Sequence, residues 1–228
     1  MRNGACPPDF DRELVGLIEC VAPFSVTSPE RIAALAGATE HVVRSGIPGA
    51  LVECGVWKGG SMMAAALTLL RIGAEDRDMY LFDTFTGMSE PTDADVETSA
   101  AGPEPTRASD TWQSINDWAA VGPEEVRANL LSTGYPSARL HLVAGKVEDT
   151  LPAAAPAAIS LLRLDTDWYE STAHEMRHLY PRLSRGGILL VDDYGHWSGA
   201  RQAVDEFFGD HPPFLHRVDY TARLAVKP

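Results

Sequence analysis

Five short apolar segments divide this chain, and longer stretches with helical periodicity lie between them. The segments span residues 51–54, 79–83, 140–143, 159–165 and 188–192, and most lack the alternation of polar and apolar residues that marks a half-exposed strand. Helices are predicted at residues 62–70, 123–131, 169–183 and 200–208. Apolar strands separated by helices are typical of a parallel sheet that is covered on both faces. The sequence therefore predicts an α/β fold, a three-layer sandwich.

The two ends of the chain extend this core. Thr27 and Glu30 have the spacing of a capping box, and they precede an apolar helical stripe that the glycines and proline of residues 46–49 end. Residues 1–46 are thus predicted to form an N-terminal helical cap. Residues 214–218 and 224–226 are predicted to pair as an antiparallel edge of the mostly parallel sheet. We expect one domain over residues 1–228.

Charge and cysteine content exclude several classes of protein. The chain carries 32 acidic and 19 basic side chains, a formal charge of −13, which disfavours binding to nucleic acid or to an anionic membrane surface. Its three cysteines are far apart and form no CxxC pair, which argues against a disulfide framework or a cysteine-ligated zinc site. No apolar run approaches the ~20 residues that cross a bilayer. We expect a cytoplasmic protein.

A glycine-bearing loop follows the first predicted strand and opens a helix. Its ExGxxxG pattern begins at Glu53 and Gly55 and runs to Ser61, and it differs from the GxGxxG of dinucleotide-binding proteins. Such a loop fits the amino-acid end of S-adenosylmethionine, or else it is only a structural turn. Asp83 ends the second strand, where a carboxylate accepts hydrogen bonds from ribose hydroxyls, or else merely caps the next helix.

Three aspartates close the fourth and fifth predicted strands. Asp165 ends one strand and Asp192 and Asp193 end the next, so all three should meet at one edge of the sheet. No basic side chain close in sequence is expected to compensate all three, and Mg²⁺, which prefers oxygen ligands, would relieve their repulsion. The alternative is that two of them are solvated strand-end caps. His196, on the loop just beyond, is a candidate general base or acceptor contact, or a simple loop histidine.

Residues 89–110 interrupt the alternation of strands and helices. They contain six acids, one base and almost no large apolar side chain, so we expect that they contribute nothing to the core. Two interpretations remain open, a solvated acidic insertion or a lid over an acceptor pocket.

The sequence also contains an HExxH motif at residues 174–178, which is typical of zinc hydrolases. The apolar stripe of the predicted helix includes Met176, Leu179 and Tyr180 and should face the sheet. His174 and His178 are then expected to point to solvent, away from any cleft, so the motif does not predict zinc.

Taken together, these motifs resemble those of the macrocin O-methyltransferase family, bacterial enzymes that methylate sugar hydroxyls of natural products. The matching segments are TSPER at 27–31, VECGVWKGGS at 52–61, LFDTF at 81–85, LDTDWYEST at 164–172, YPRL at 180–183 and VDDYG at 191–195. Residues 89–110 match poorly, and Thr86 stands where many relatives have an acid.

The resemblance implies a Rossmann-like class I methyltransferase that uses S-adenosylmethionine and Mg²⁺. It implies that Asp165 is both metal ligand and base, and that Asp192 and Asp193 complete the metal site. It also implies a set of cofactor-binding positions, namely Glu53, Gly55, Ser61, Asp83, Thr27 as a flap over the methionine end, and Lys146 and Val147 beside the adenine.

The expected function is therefore methylation of a hydroxyl on a small molecule, a sugar of a natural-product glycoside. A catechol-type acceptor and a non-catalytic nucleoside-binding module are the alternatives. A nicotinamide oxidoreductase is disfavoured because GxGxxG is missing after the first strand. We also expect a homo-oligomer, a dimer or larger.

Overall fold

The computed structural model describes residues 6–98 and 106–228, which contain one seven-stranded sheet. Its strands lie in the order β3-β2-β1-β4-β5-β7-β6. Their bounds are β1 Ala50–Cys54, β2 Met79–Asp83, β3 Leu140–Ala144, β4 Ile159–Leu164, β5 Leu183–Val191, β6 His216–Arg217 and β7 Arg223–Val226. The first five pair in parallel, and β7 pairs antiparallel with β5 and with β6. The predicted antiparallel C-terminal edge is confirmed.

Helices cover both faces of the sheet. Their bounds are α1 Arg12–Val21, α2 Pro29–Arg44, α3 Gly60–Arg71, α4 Ala108–Ala119, α5 Pro123–Ser132, α6 Val147–Thr150, α7 Tyr169–Leu179 and α8 Ser198–Phe208. On β1, Leu51 belongs to the apolar cluster with α1, α2, α3 and α5, and Val52 belongs to the cluster with α6, α7 and α8. This alternation of side chains between two buried faces is the predicted three-layer α/β sandwich.

The ladder of backbone hydrogen bonds continues one residue beyond the strand ends at the centre of the sheet. The Gly55 N–H donates to the Phe82 carbonyl at 2.9 Å, and the Asp165 N–H donates to Cys54 at 2.8 Å. The Asp192 N–H donates in turn to Leu164 at 2.9 Å. Strand order reverses between β1 and β4, so this row lies at the topological switch point, where open α/β sheets bind ligands.

Three local predictions need correction. Helix α2 is capped by Ser28 rather than Thr27, because the Ser28 hydroxyl accepts from the Arg31 N–H at 3.2 Å. Helix α7 ends at Leu179 instead of continuing to residue 183, because Pro181 lies in a 3₁₀ turn and strand β5 begins directly after it. The edge strand β6 is two residues long, shorter than the predicted 214–218. Helices α4 and α6 were not predicted, and α1 lies within the predicted helical cap of residues 1–46.

The described part of residues 89–110 packs against the body of the protein. Asp95 is 1% exposed, and its carboxylate accepts from the Thr92 and Tyr169 backbone N–H groups, each at 2.8 Å. The second of these bonds caps the N-terminus of α7, where a negative charge is favourable. Ala108 is fully buried in a small cluster with Trp168 and Trp197. The expectation that this segment contributes nothing to the core is therefore wrong.

The HExxH motif lies on α7, with its glutamate turned into the protein. Glu175 is fully buried and accepts from the Thr166 hydroxyl at 3.0 Å. Burial raises the pKa of Glu175 well above its usual value. His174 and His178 are both half-buried, and their ring centroids lie 4.3 Å apart. His174 lies against the Leu151 carbonyl.

Within residues 6–98 and 106–228, none of the helices combines the length and the apolar character needed to cross a lipid bilayer.

Candidate active site

A cavity of about 490 Å³ opens at the carboxyl ends of the central strands. Its lining contains most of the residues predicted to bind ligands, namely Thr27, Gly55, Asp83, Lys146, Val147, Asp165, Asp192, Asp193 and His196. Other walls are apolar or aromatic and include Trp57, Met88, Trp118, Trp197 and Tyr220. The glycine loop and the aspartate cluster therefore face one shared space.

Asp83 fastens the glycine loop to the end of β2. One carboxylate oxygen accepts from the N–H groups of Val56 at 2.6 Å and Trp57 at 3.2 Å, and the other accepts from Phe85 N–H at 2.8 Å. These partners are neutral backbone dipoles, and each carboxylate oxygen has more than one lone pair to share. Asp83 is half-buried in the cavity wall, so it can order the loop and also accept a ligand hydroxyl.

Gly55 lets two backbone segments come together at the switch point. Its φ of +81° belongs to the left-handed region, which glycine adopts without strain. A Cβ atom at this position would lie 2.0 Å from the Asp165 carbonyl oxygen. The glycine is therefore required by the meeting of the β1 and β4 ends, whatever it contributes to a ligand.

The three predicted metal ligands converge. One carboxylate oxygen each from Asp165, Asp192 and Asp193 can be chosen so that all three lie within 4.8 Å of one another. Asp192 and Asp193 are buried, and the Asp165 side chain is 27% exposed toward the cavity. Neighbouring strands thus bring the acids to one point, as their sequence positions predict.

An arginine that the sequence interpretation passed over lies inside the cluster. The Arg163 guanidinium donates to Glu53 at 2.6 Å and to Asp165 and Asp192 at 2.7 Å each, and it is 3% exposed. Arg163 is paired with Glu53 across the β1–β4 ladder and lies two residues before Asp165. Arg163 therefore compensates Asp165 and Asp192 but not Asp193, in keeping with the expectation that no basic side chain close in sequence compensates all three.

A second arginine reaches the cluster from α2. Arg31 forms ion pairs with Asp192 and, at 3.1 Å, with Asp219. Burial favours a neutral Asp192, but the charges of Arg163 and Arg31 outweigh it and lower the Asp192 pKa. Asp192 is therefore held as a carboxylate.

Asp193, unlike Asp192, has no arginine among its hydrogen-bond partners in the described residues, and its pKa is raised rather than lowered. Its Oδ2 atom is buried without a hydrogen-bond partner among the described residues. Burial, together with the charge of the adjacent Asp167, raises the Asp193 pKa well above its usual value. Burial and the charge of Asp165 raise the pKa of Asp167 to about 7. An unpartnered buried carboxylate oxygen beside two other aspartates is a donor set that fits a divalent cation with oxygen ligands.

His196 faces the same cavity from the loop after β5. Its Nδ1 atom is buried without a partner among the described residues. Burial and the charge of Arg31 lower the His196 pKa, against the opposing charge of Glu97. The imidazole is therefore neutral at pH 7 and able to accept a proton.

Two predicted cofactor residues lie behind the cavity wall. Glu53 is 1% exposed and bound to Arg163, and burial raises its pKa to about 7 against the opposing arginine charge. Ser61 is buried in the first turn of α3. Neither lines the cavity, whereas Thr27 does, and the Thr27 hydroxyl lies 3.3 Å from an Arg163 nitrogen.

The sequence was compared with family models and with proteins of known activity, and the match identifies its family. The sequence matches the family model described as Macrocin-O-methyltransferase (TylF) over residues 11–223, which is most of the chain. The chain belongs to the macrocin O-methyltransferase family. It is therefore a methyltransferase enzyme, and the resemblance predicted from the sequence motifs is confirmed.

Curated members of similar sequence are bacterial O-methyltransferases. The 8-demethyl-8-(2,3-dimethoxy-alpha-L-rhamnosyl)-tetracenomycin-C 4'-O-methyltransferase of Streptomyces olivaceus is 35% identical over 202 residues, which cover 89% of this chain and 74% of that protein. The demethyldecarbamoylnovobiocin O-methyltransferase of Streptomyces niveus is 33% identical, covering 74% of this chain and 61% of that protein. The mycinamicin III 3''-O-methyltransferase of Micromonospora griseorubida is 30% identical, covering 80% and 69%.

Solved structures of O-methyltransferases share the fold. The O-methyltransferase NovP superposes with a TM-score of 0.79 at 29% identity, covering 90% of this chain and 82% of that one. The calicheamicin methyltransferase CalS11 gives a TM-score of 0.69 at 23% identity, covering 96% and 86%. TomG of Streptomyces achromogenes, solved in complex with S-adenosylmethionine, gives 0.52 at 12% identity, covering 96% and 92%. The predicted Rossmann-like class I methyltransferase fold is confirmed.

Sequence reasoning missed three polar residues of this family member's site, Arg163, Arg31 and Asp167. A signal for Arg163 was available, since residues 161, 163 and 165 share one face of β4, and an arginine in a buried strand must be paired. Asp167 adopts a left-handed φ of +66°, which is uncommon for a non-glycine residue and places it beside Asp193.

Proposed function

We propose that this protein transfers a methyl group from S-adenosylmethionine to a hydroxyl of a small molecule, a sugar of a natural-product glycoside, with the help of Mg²⁺. The single observation that carries the proposal is the convergence of Asp165, Asp192 and Asp193 in the same cavity as the Asp83-braced glycine loop. Family membership supports the methyl transfer. One relative is named for a rhamnosyl-bearing compound, and this name supports a sugar as the acceptor.

The cofactor end would receive S-adenosylmethionine, which supplies the electrophilic methyl group. Asp83 would accept hydrogen bonds from the ribose hydroxyls, and the Gly55 backbone would line the methionine portion. Thr27, at the start of the α2 segment, would close over that portion, and Lys146 and Val147 would border the adenine. Glu53 and Ser61 would act from behind the wall, Glu53 by holding Arg163 in place.

The metal end would hold Mg²⁺ through Asp165, Asp192 and Asp193. When bound there, such an ion would supply positive charge that lowers the pKa of a nearby acceptor hydroxyl. Asp165, which faces the cavity, would take the hydroxyl proton, and a general base typically contributes ~10²–10⁴-fold. His196 is the rival base, since it is neutral and its Nδ1 is unpartnered in the described structure. The cavity walls would align donor and acceptor, and such alignment typically contributes several kcal/mol more.

Isothermal titration calorimetry on the full chain tests the proposal. S-adenosylhomocysteine and Mg²⁺ should each bind, and NADH should not. Methyl transfer from labelled S-adenosylmethionine to a panel of glycosides should stop in EDTA and return with excess Mg²⁺. Turnover that is unchanged in EDTA would remove the metal from the mechanism.

Two variants separate the candidate bases. Asp165→Asn should lower both turnover and metal affinity, whereas His196→Gln should lower turnover alone if it is the base. A His196→Gln enzyme with wild-type kcat assigns the proton transfer to Asp165. Including catechols in the acceptor panel tests the alternative acceptor class.

We also propose that residues 1–228 act as one domain, with residues 1–46 as a helical cap and residues 89–110 as an acidic insertion or a lid over the acceptor pocket. The assembled protein is proposed to be a homo-oligomer, which light scattering after size-exclusion chromatography would measure.

A further inference from the structure

We propose that the Arg31 guanidinium competes with a divalent metal ion for the Asp192 carboxylate. The Arg31–Asp192 ion pair breaks when the metal ion binds. This inference rests on the proposed function, because it concerns the same aspartate cluster. It assigns to Arg31 a role in setting the metal affinity of the enzyme.

Both oxygens of Asp192 are engaged by guanidinium groups. Oδ1 accepts from Arg163 at 2.7 Å, and Oδ2 accepts from Arg31. The Asp193 Oδ2 atom, by contrast, has no partner among the described residues. A cation that takes ligands from all three aspartates would therefore find Asp193 open and Asp192 already occupied by positive charge.

Arg163 is the less movable of the two arginines. Its side chain is 3% exposed, and it also donates to Glu53 at 2.6 Å and to Asp165 at 2.7 Å. Withdrawing it would leave the Glu53 carboxylate buried without a counter-charge, which is strongly destabilising. Arg163 is a fixed part of the site.

Arg31 has a second partner that allows it to leave Asp192. Its side chain is 11% exposed, lines the cavity, and forms an ion pair with Asp219 at 3.1 Å. Asp219 is itself held by the N–H groups of Thr221 at 2.9 Å and Ala222 at 2.8 Å, and by the Ser28 hydroxyl at 2.8 Å. The Arg31 guanidinium can therefore remain paired after it has given up Asp192.

The Arg31 guanidinium and an incoming metal ion therefore compete for the Oδ2 atom of Asp192. With Arg31 on Asp192, the cluster keeps its acids partly neutralised before a metal arrives. The same contact raises the metal concentration needed to occupy the site, because the ion has to displace a charge-assisted hydrogen bond. Removing the Arg31 guanidinium should thus tighten metal binding.

Calorimetric titration with Mg²⁺ or Mn²⁺ tests this on the full-length protein. Arg31→Met is expected to bind the metal roughly tenfold more tightly than wild type, as loss of one competing charge-assisted bond implies. The matched control is Arg71→Met, which removes an arginine that pairs with Glu13 and Glu40 on α1 and α2. This control should leave metal affinity unchanged. An Arg31→Met protein that binds metal no more tightly than wild type overturns the inference.

A spectroscopic measurement detects release directly and does not depend on the stability of the methionine variant. The contact with Asp192 is made by Nη1 of Arg31, whereas Nε pairs with Asp219. The Arg31 Nη–H signals in ¹⁵N-correlated NMR spectra, assigned by their loss in Arg31→Lys, should shift on saturation with Mg²⁺. An Arg31 signal that does not move at saturating Mg²⁺ overturns the inference.

The two proposals fail in different ways. If wild-type protein binds neither Mg²⁺ nor Mn²⁺, the metal-dependent function is wrong, and the inference with it. If wild type binds metal and Asp192→Asn does not, while Arg31→Met shows no gain, the function stands and only the role of Arg31 is wrong.

Discussion

The two ends of the cavity hold their carboxylates in different ways. At the cofactor end, Asp83 is surrounded by backbone N–H groups of Val56, Trp57 and Phe85, which are neutral. At the metal end, Asp165 and Asp192 are bound by arginine side chains. Neutral dipoles can share a carboxylate with an incoming hydroxyl, whereas an arginine competes with an incoming cation. Under the proposed function, the first end can bind its ligand without losing a partner, whereas the second has to exchange an arginine contact for a metal ion.

The Asp192→Ala variant tests most sharply whether the cofactor end and the metal end of the cavity work separately. We expect metal-dependent turnover to fall by at least ~10²-fold, because the metal contributes several kcal/mol of charge stabilisation. Affinity for S-adenosylhomocysteine should stay within about threefold of wild type, since Asp192 lies outside the glycine loop. Turnover assays and calorimetry measure the two effects. A large loss of cofactor affinity would show that the two ends are not separable.

Arg163→Met should destabilise the fold most. It leaves Glu53, Asp165 and Asp192 without their shared counter-charge, and breaking a buried ion pair costs about 3–5 kcal/mol in the free energy of unfolding. Urea denaturation followed by circular dichroism measures this loss.

The matched control for Arg163 is Arg139→Met, which removes a partly exposed ion pair with Asp78 worth about 0–1 kcal/mol. Adding Glu53→Gln to Arg163→Met should recover part of the loss. Equal stability of the Arg163 and Arg139 variants would contradict the buried role of Arg163.

Asp83→Ala should weaken the cofactor end. Its removal leaves the Val56, Trp57 and Phe85 N–H groups without their acceptor and takes away the proposed ribose contact. We expect affinity for S-adenosylhomocysteine to fall by roughly 10–100-fold, from the loss of hydrogen bonds to a charged group. Asp83→Asn, which keeps one acceptor oxygen, should fall between wild type and Asp83→Ala. Unaltered affinity in Asp83→Ala would reject the ribose role.

Asp95→Ala extends the comparison to the segment beside the cavity and has the smallest expected effect. It removes the carboxylate that caps α7 at Tyr169, which should cost about 1–2 kcal/mol of stability. Asp93→Ala, which removes an exposed acid of the same segment, should change stability by less than about 0.5 kcal/mol. Thermal unfolding of both variants measures the difference, and equal melting temperatures would argue against docking through Asp95.

The strand ends were predictable from the sequence because their cause is local. The fourth and fifth predicted strands are largely apolar and end at aspartates, and parallel strands end at the same edge of the sheet. The convergence of Asp165, Asp192 and Asp193 follows from those two facts, and the structure confirms it.

The contacts of Arg31 and Asp95 were not predictable from local pattern, unlike the pairing of Arg163. Arg31 lies 161 residues from its partner Asp192, and Asp95 lies 74 residues from the helix that it caps. The sequence around an acidic residue does not show whether its carboxylate pairs with a distant element or is exposed to solvent. The acidic character of residues 89–110 therefore suggested exposure, although Asp95 is buried.

The contact between Gly55 and the Asp165 carbonyl has a consequence for how acceptor range can change in such an enzyme. Main-chain contacts join the ends of β2, β1 and β4, so the spacing between Asp83 and Asp165 is set by the backbone. Wall residues such as Met88 and Tyr220 can be exchanged to admit molecules of another outline, while the reacting groups keep their distance. Under the proposed function, replaceable side chains of the wall would set selectivity, and the peptide backbone would set the spacing of the reacting groups.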